Sequence, residues 1–175
     1  MIFGYNRWYR IIGFKRGRVE SGCELMMYDE KRTGGAGMVE KEEFYLNSTN
    51  GVNKLHVISW HPLEEIRAIV QISHGMCEYV DRYDRLATFL AQHGMMVIGN
   101  DHLGHGETAK GEEELGYFPK AKGSETVVDD LYKVTKSIRA RYPRIPYFLL
   151  GHSMGSFMAR RYLMTYGSQL DGAIL

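Results

Sequence analysis

Short apolar runs set apart by amphipathic stretches constrain this chain most. Ala68–Ser73 (AIVQIS), Met95–Gly99 and Tyr147–Leu150 are brief apolar segments of the kind buried on both faces of a parallel sheet. Between the first two, Tyr83, Leu86, Ala87 and Leu90 recur at i, i+3, i+4 and i+7, which predicts an amphipathic helix ending before Gly94. Val127, Leu131, Val134 and Ile138 predict a second helix, stopped by Pro143. Met154–Tyr166 reads as a third helix and Gly172–Leu175 as the start of another strand. Strands separated by single helices require right-handed crossovers, so the class is α/β, with a mostly parallel sheet and helices on both faces. Glu42–Asn47 and Lys54–Trp60, joined around an Asn50-Gly51 turn, add an antiparallel edge.

The front of the chain reads differently. Met1–Arg18 carries five basic side chains and no acid, and its charges interrupt the apolar residues, unlike a secretory leader. Thr33–Gly37 is a flexible break. Residues 1–37 are therefore expected to be a flexible extension and 38–175 the folded domain, with Met38 a candidate biological start. The basic, aromatic segment could lie on an anionic membrane surface. Two cysteines, Cys23 and Cys77, make no disulfide framework and point to a reducing, cytoplasmic setting, peripheral to a membrane if the extension binds one. With 22 basic against 21 acidic side chains, a polybasic nucleic-acid binder is excluded. Nothing in the sequence fixes an oligomeric state.

The chemistry centres on Gly151-His152-Ser153-Met154-Gly155, a G-x-S-x-G pattern between an expected strand and an expected helix. A sharp turn there lifts the serine hydroxyl above the sheet, while Gly151 and Gly155 let neighbouring backbone approach. The N-terminus of the following helix favours a developing oxyanion. Ser73-His74-Gly75-Met76 closes the first buried strand, where this fold supplies a second oxyanion-hole donor. The N–H groups of Met76 and Met154 are the expected pair, with His74 and Gly75 shaping the loop. Asp101-His102-Leu103-Gly104-His105-Gly106 follows the second buried strand. Its H-x-x-H spacing lacks a recognisable fourth ligand, so no metal is expected. Gly104-x-Gly106 imitates a dinucleotide fingerprint, but Lys110–Glu114 is no apolar helix to receive a pyrophosphate, and no cofactor is expected. Cys77 is expected to be a small buried side chain rather than a nucleophile, and the methionines are expected to pack the core.

Three segments in order, from His74-Gly75-Met76-Cys77-Glu78 through Asp101-His102-Leu103-Gly104-His105-Gly106 to Gly151-His152-Ser153-Met154-Gly155, resemble the monoacylglycerol lipase and lysophospholipase branch of the α/β-hydrolases. The resemblance covers roughly residues 42–175. It implies Ser153 as nucleophile, Met76 and Met154 as oxyanion-hole donors, and Asp101, Gly104 and Gly106 as a supporting loop. It implies an acylglycerol or lysophospholipid substrate, cleaved through an acyl-enzyme without metal or cofactor.

Such a serine needs a histidine to take its proton and an acid to orient that histidine, in the chain order serine, acid, histidine. All seven histidines precede Ser153, and the one acid after it is Asp171. The chain is therefore expected to be the N-terminal part of a longer hydrolase, stopping after the elbow helix inside the next strand. The alternative is a catalytically silent fragment, at most a partner for a complementary C-terminal piece.

Overall fold

The computed structural model describes residues 39–118 and 122–175, together with the backbone of 11–15 and 18–20. The expected break at Thr33–Gly37 and the start at Met38 lie outside the described residues. Strands β1 (Ile11–Lys15), β2 (Arg18–Glu20), β3 (Val39–Asn47), β4 (Lys54–Pro62), β5 (Ala68–Ser73), β6 (Met95–Asn100), β7 (Tyr147–Gly151) and β8 (Gly172–Ile174) form one sheet ordered β2-β1-β8-β7-β5-β6-β4-β3. The central β6, β5, β7 and β8 run parallel, and β3 and β4 close one side antiparallel. Helices α1 (Asp84–Gln92), α2 (Gly123–Arg141) and α3 (Met154–Tyr166) make the crossovers.

β1 pairs antiparallel with β8, and β2 pairs with β1, so these two segments of the expected 1–37 extension continue the sheet, and the rest of it lies outside the described residues. The outer edge of β8 presents unpaired N–H and C=O groups, which an extended β-branched run such as Ile11-Ile12 can satisfy.

Alternation along each strand divides the core. Ile69, Met96, Ile98, Tyr147 and Leu149 face α2 and α3, packing on Val127, Leu131, Val134, Met158 and Tyr162. Val70, Ile72 and Val97 face the other way, onto Val80, Ala87 and Ala91. Helices thus cover both faces, which is why the strands read as continuous apolar runs. Gln71, fully buried in the middle of β5, breaks that run. Its Nε2 donates to Leu131 O (3.0 Å), and its Oε1 accepts from Thr135 Oγ1 (2.8 Å) and Tyr147 Oη (2.7 Å). Among the described residues no helix is long and apolar enough to cross a membrane.

The winding fixes the site. From β5 the chain crosses to β6 on one side, and later enters β7 on the other. The loops leaving the carboxyl ends of β5 and β7 therefore diverge around a crevice, the place where open α/β sheets bind ligands. The register Ser73↔Gly151 sets those two loops side by side.

Candidate active site

Ser153 occupies the turn between β7 and α3 with φ 51° and ψ −117°, a combination that strains a side chain bearing Cβ. The turn is held by bonds from Gly155 N–H to His152 O (2.8 Å) and Ser156 N–H to Ser153 O (2.9 Å). The flanking glycines are dictated by space. A Cβ on Gly155 would stand 1.9 Å from Ser73 O, and one on Gly151 would stand 2.6 Å from Gly155 O. The serine is exposed at the N-terminus of a 13-residue helix, whose first N–H groups carry partial positive charge.

Beside the elbow, His152 N–H donates to Ser73 O (3.1 Å) and ties the end of β7 to the end of β5. His74 follows at once and is fully buried. Its Nε2 accepts the N–H of His102 (2.9 Å), which leaves Nδ1 as the donor to Gly75 O (2.8 Å) and fixes one neutral tautomer. Burial holds its pKa down at about 4, against a smaller upward pull from the Gly75 carbonyl. Among the described residues, neither the Met76 N–H nor the Met154 N–H meets an acceptor. The Met76 side chain is exposed, whereas that of Met154 is buried. Cys77, expected to be buried, is instead exposed, because the loop turns outward there with the cysteine at φ 55°. Met164 is likewise exposed, off the face of α3 that meets the sheet.

Glu78 received no assignment from the sequence beyond its place in the first segment, yet it reaches across the crevice. Its Oε2 accepts from Gly75 N–H (2.8 Å), Tyr83 Oη (2.8 Å) and His152 Nδ1 (3.2 Å). Burial pushes its carboxyl up, but these three donors together hold it below the usual range. An acid three residues beyond Gly75 is the only sequence clue to this.

The third segment gathers around Asp101. Its Oδ1 accepts Val80 N–H (2.7 Å), and its Oδ2 accepts Glu107 N–H (2.9 Å) and meets His56 Nδ1 (2.9 Å). Gly106 adopts φ +48° with its Cα against this carboxylate, and a Cβ there would stand 2.1 Å from Oδ2. At Gly104 a Cβ would stand 2.2 Å from Tyr117 O. Asp101 therefore braces the loop from beneath. The seven histidines are committed elsewhere. His56 meets Asp101, His61 meets Ser59, His93 meets Phe89 O, His105 meets Leu103 O, and His102 meets Ser73 Oγ. His74 and His152 are bonded as described, and none of the seven hydrogen-bonds Ser153 Oγ.

The described geometry has relatives. The family model for serine aminopeptidase, S33, matches residues 64–175. Monoglyceride lipase of Rattus norvegicus is 38% identical over 96 residues, covering 55% of this chain and 30% of its own length. Monoacylglycerol lipase of Mycolicibacterium smegmatis is 28% identical over 132 residues, covering 74% and 45%. Among solved structures, a thermostable carboxyl esterase from Bacillus coagulans in complex with glycerol superposes with a TM-score of 0.71 at 34% identity, covering 76% of this chain and 43% of that one. The chain thus spans less than half the length of these relatives. It has an α/β-hydrolase fold and belongs to the serine aminopeptidase S33 family.

Proposed function

We propose that this chain carries the nucleophile side of a serine esterase that cleaves carboxylic esters of monoacylglycerol or lysophospholipid type, as part of a longer protein. Ser153 Oγ attacks the ester carbonyl, and the carbonyl electrons move onto oxygen, which the Met76 and Met154 N–H groups receive. Collapse expels the alcohol and leaves an acyl-enzyme, which water then cleaves. One such donor contributes about 3–4 kcal/mol to the transition state. The observation that carries this reading is the strained, exposed Ser153 at a helix N-terminus beside an N–H-bearing loop. The relatives' names support the ester substrates.

In this reading the proton acceptor lies outside these 175 residues, which the engagement of every histidine here with other groups supports. The same observation favours the second reading, a silent piece that needs a complementary partner. The two cysteines support a cytoplasmic setting, and the basic side chains of Met1–Arg18 support contact with an anionic membrane surface. A fluorophosphonate probe on the 175-residue chain separates the readings. Labelling lost in Ser153→Ala supports an activated serine, and no labelling of the wild type supports the silent piece.

A further inference from the structure

The single oxygen Glu78 Oε2 lies where the two backbone segments of the site meet. Through Gly75 it touches the loop after β5, one residue before Met76. Through His152 it touches the elbow, two residues before Met154. Through Tyr83 it is anchored to the turn that leads into α1. The neighbouring backbone link, His152 N–H to Ser73 O (3.1 Å), secures only the strand ends, before the loop leaves the sheet. Beyond that point Glu78 is the group that spans the gap. The fit is tight, since a Cβ on Gly75 would stand 2.9 Å from Glu78 Oε2 and 3.1 Å from His152 Nδ1. A carboxylate suits the place because it only accepts, and all three neighbours donate to it.

We propose that Glu78 is a positioning residue that fixes the Met76 N–H relative to the Met154 N–H, acting through Gly75 and His152. This rests on the reading of Ser153 as nucleophile. Both donors must point at one developing oxygen, and a misplacement of about 1 Å can cost up to about 10²-fold in rate. Neither segment can supply that alignment alone, because the loop after β5 has left the ladder by Gly75.

The test compares Glu78→Ala and Glu78→Gln with the wild type in the full 175-residue chain, using two readouts. The first is amide hydrogen exchange at Gly75 and Met76, followed by NMR, which needs no catalysis. The Ala variant is expected to speed exchange at Gly75 by about tenfold or more, while the Gln variant, whose carbonyl still accepts that N–H, stays within about threefold. The second is the rate of fluorophosphonate labelling at Ser153 per folded molecule, with the folded fraction taken from urea titration. Ala is expected to slow it by about 10-fold to 10²-fold, and Gln to restore most of it. A merely structural role would lower the folded fraction and leave the rate per folded molecule unchanged. That result, or unchanged exchange at Gly75 in the Ala variant, overturns the proposal. If the wild type is not labelled, the nucleophile reading fails for this chain and exchange alone decides on Glu78. Should the Ala variant not fold, Glu78→Asp, which withdraws the carboxylate by one methylene, is read in the same way.

Discussion

Gly155→Ala probes the packing that creates the elbow. An added Cβ would stand 1.9 Å from Ser73 O, 2.5 Å from Ser73 C and 2.6 Å from His74 O. Restoring ordinary contact requires the first turn of α3 and the end of β5 to separate by about 1.5 Å. All three obstructing atoms are backbone, and β5 is paired on both sides, with β6 and β7, so the strand cannot yield alone. Overpacking of a filled interior costs about 1–3 kcal/mol, and backbone obstruction places this case at the upper end, about 3 kcal/mol. For a domain of this size each kcal/mol lowers the melting temperature by about 2–4 °C, so the variant should melt about 6–12 °C below wild type. Urea titration should show a lower midpoint with an unchanged slope. The strand end being pushed leads directly into the Met76 loop, so fluorophosphonate labelling per folded molecule should fall as well. An Ala variant that melts within about 2 °C of wild type and labels at the same rate would refute this account of the close approach.

Other perturbations bear on separate parts of the site. Ser153→Gly should be more stable than Ser153→Ala by about 1–2 kcal/mol, the reverse of the usual order, because φ 51° and ψ −117° suit only glycine; equal urea midpoints would remove the claim of strain. Asp101→Ala leaves the Val80 and Glu107 N–H groups and the His56 ring without their buried acceptor, and should cost about 3–5 kcal/mol in urea unfolding. A loss under 1 kcal/mol would show that water replaces the carboxylate. Acid should also weaken the fold. Burial holds His74 at a pKa of about 4 and lowers His102 as well, whereas both titrate near 6.5 when unfolded. Between those values the unfolded chain binds more protons, so stability is complete above about pH 6.5 and falls toward pH 4, His74 alone accounting for about 3 kcal/mol. Urea midpoints measured from pH 7.5 to 4.5 should fall accordingly and fall less in His74→Gln; a flat wild-type profile would contradict the buried neutral ring.

What the sequence made legible follows from how far each residue's partners lie along the chain. The strands β5, β6 and β7 were readable because helices cover both sheet faces, so nearly every side chain in them must be apolar. Gln71 breaks that pattern, and its three partners lie 60 to 76 positions away, which no local pattern could have indicated. The elbow was readable because its requirements are local, a serine between two small residues at a strand-to-helix junction. β1 and β2 were not, since their pairing depends on the free edge of β8, more than 150 positions downstream. Cys77 is exposed against the expectation of burial because a residue's type says nothing about which way its loop turns.

Glu78 is silent in the sequence while Ser153 is not, because the two positions are marked in different ways. The serine is marked by what must be absent around it, namely any Cβ at Gly151 and Gly155, and absence of bulk leaves a glycine signature. Glu78 is marked only by what it reaches, a backbone N–H three positions back and a ring 74 positions on. An acid in a loop is ordinarily a solvated surface group, so nothing in its type distinguishes it. Only the register Ser73↔Gly151, a property of the assembled sheet, brings the loop and the elbow within reach of one carboxylate. On the proposed reading, the alignment of the Met76 and Met154 N–H groups is set jointly by strand pairing and by a side chain whose partners come within reach only once the strands have paired.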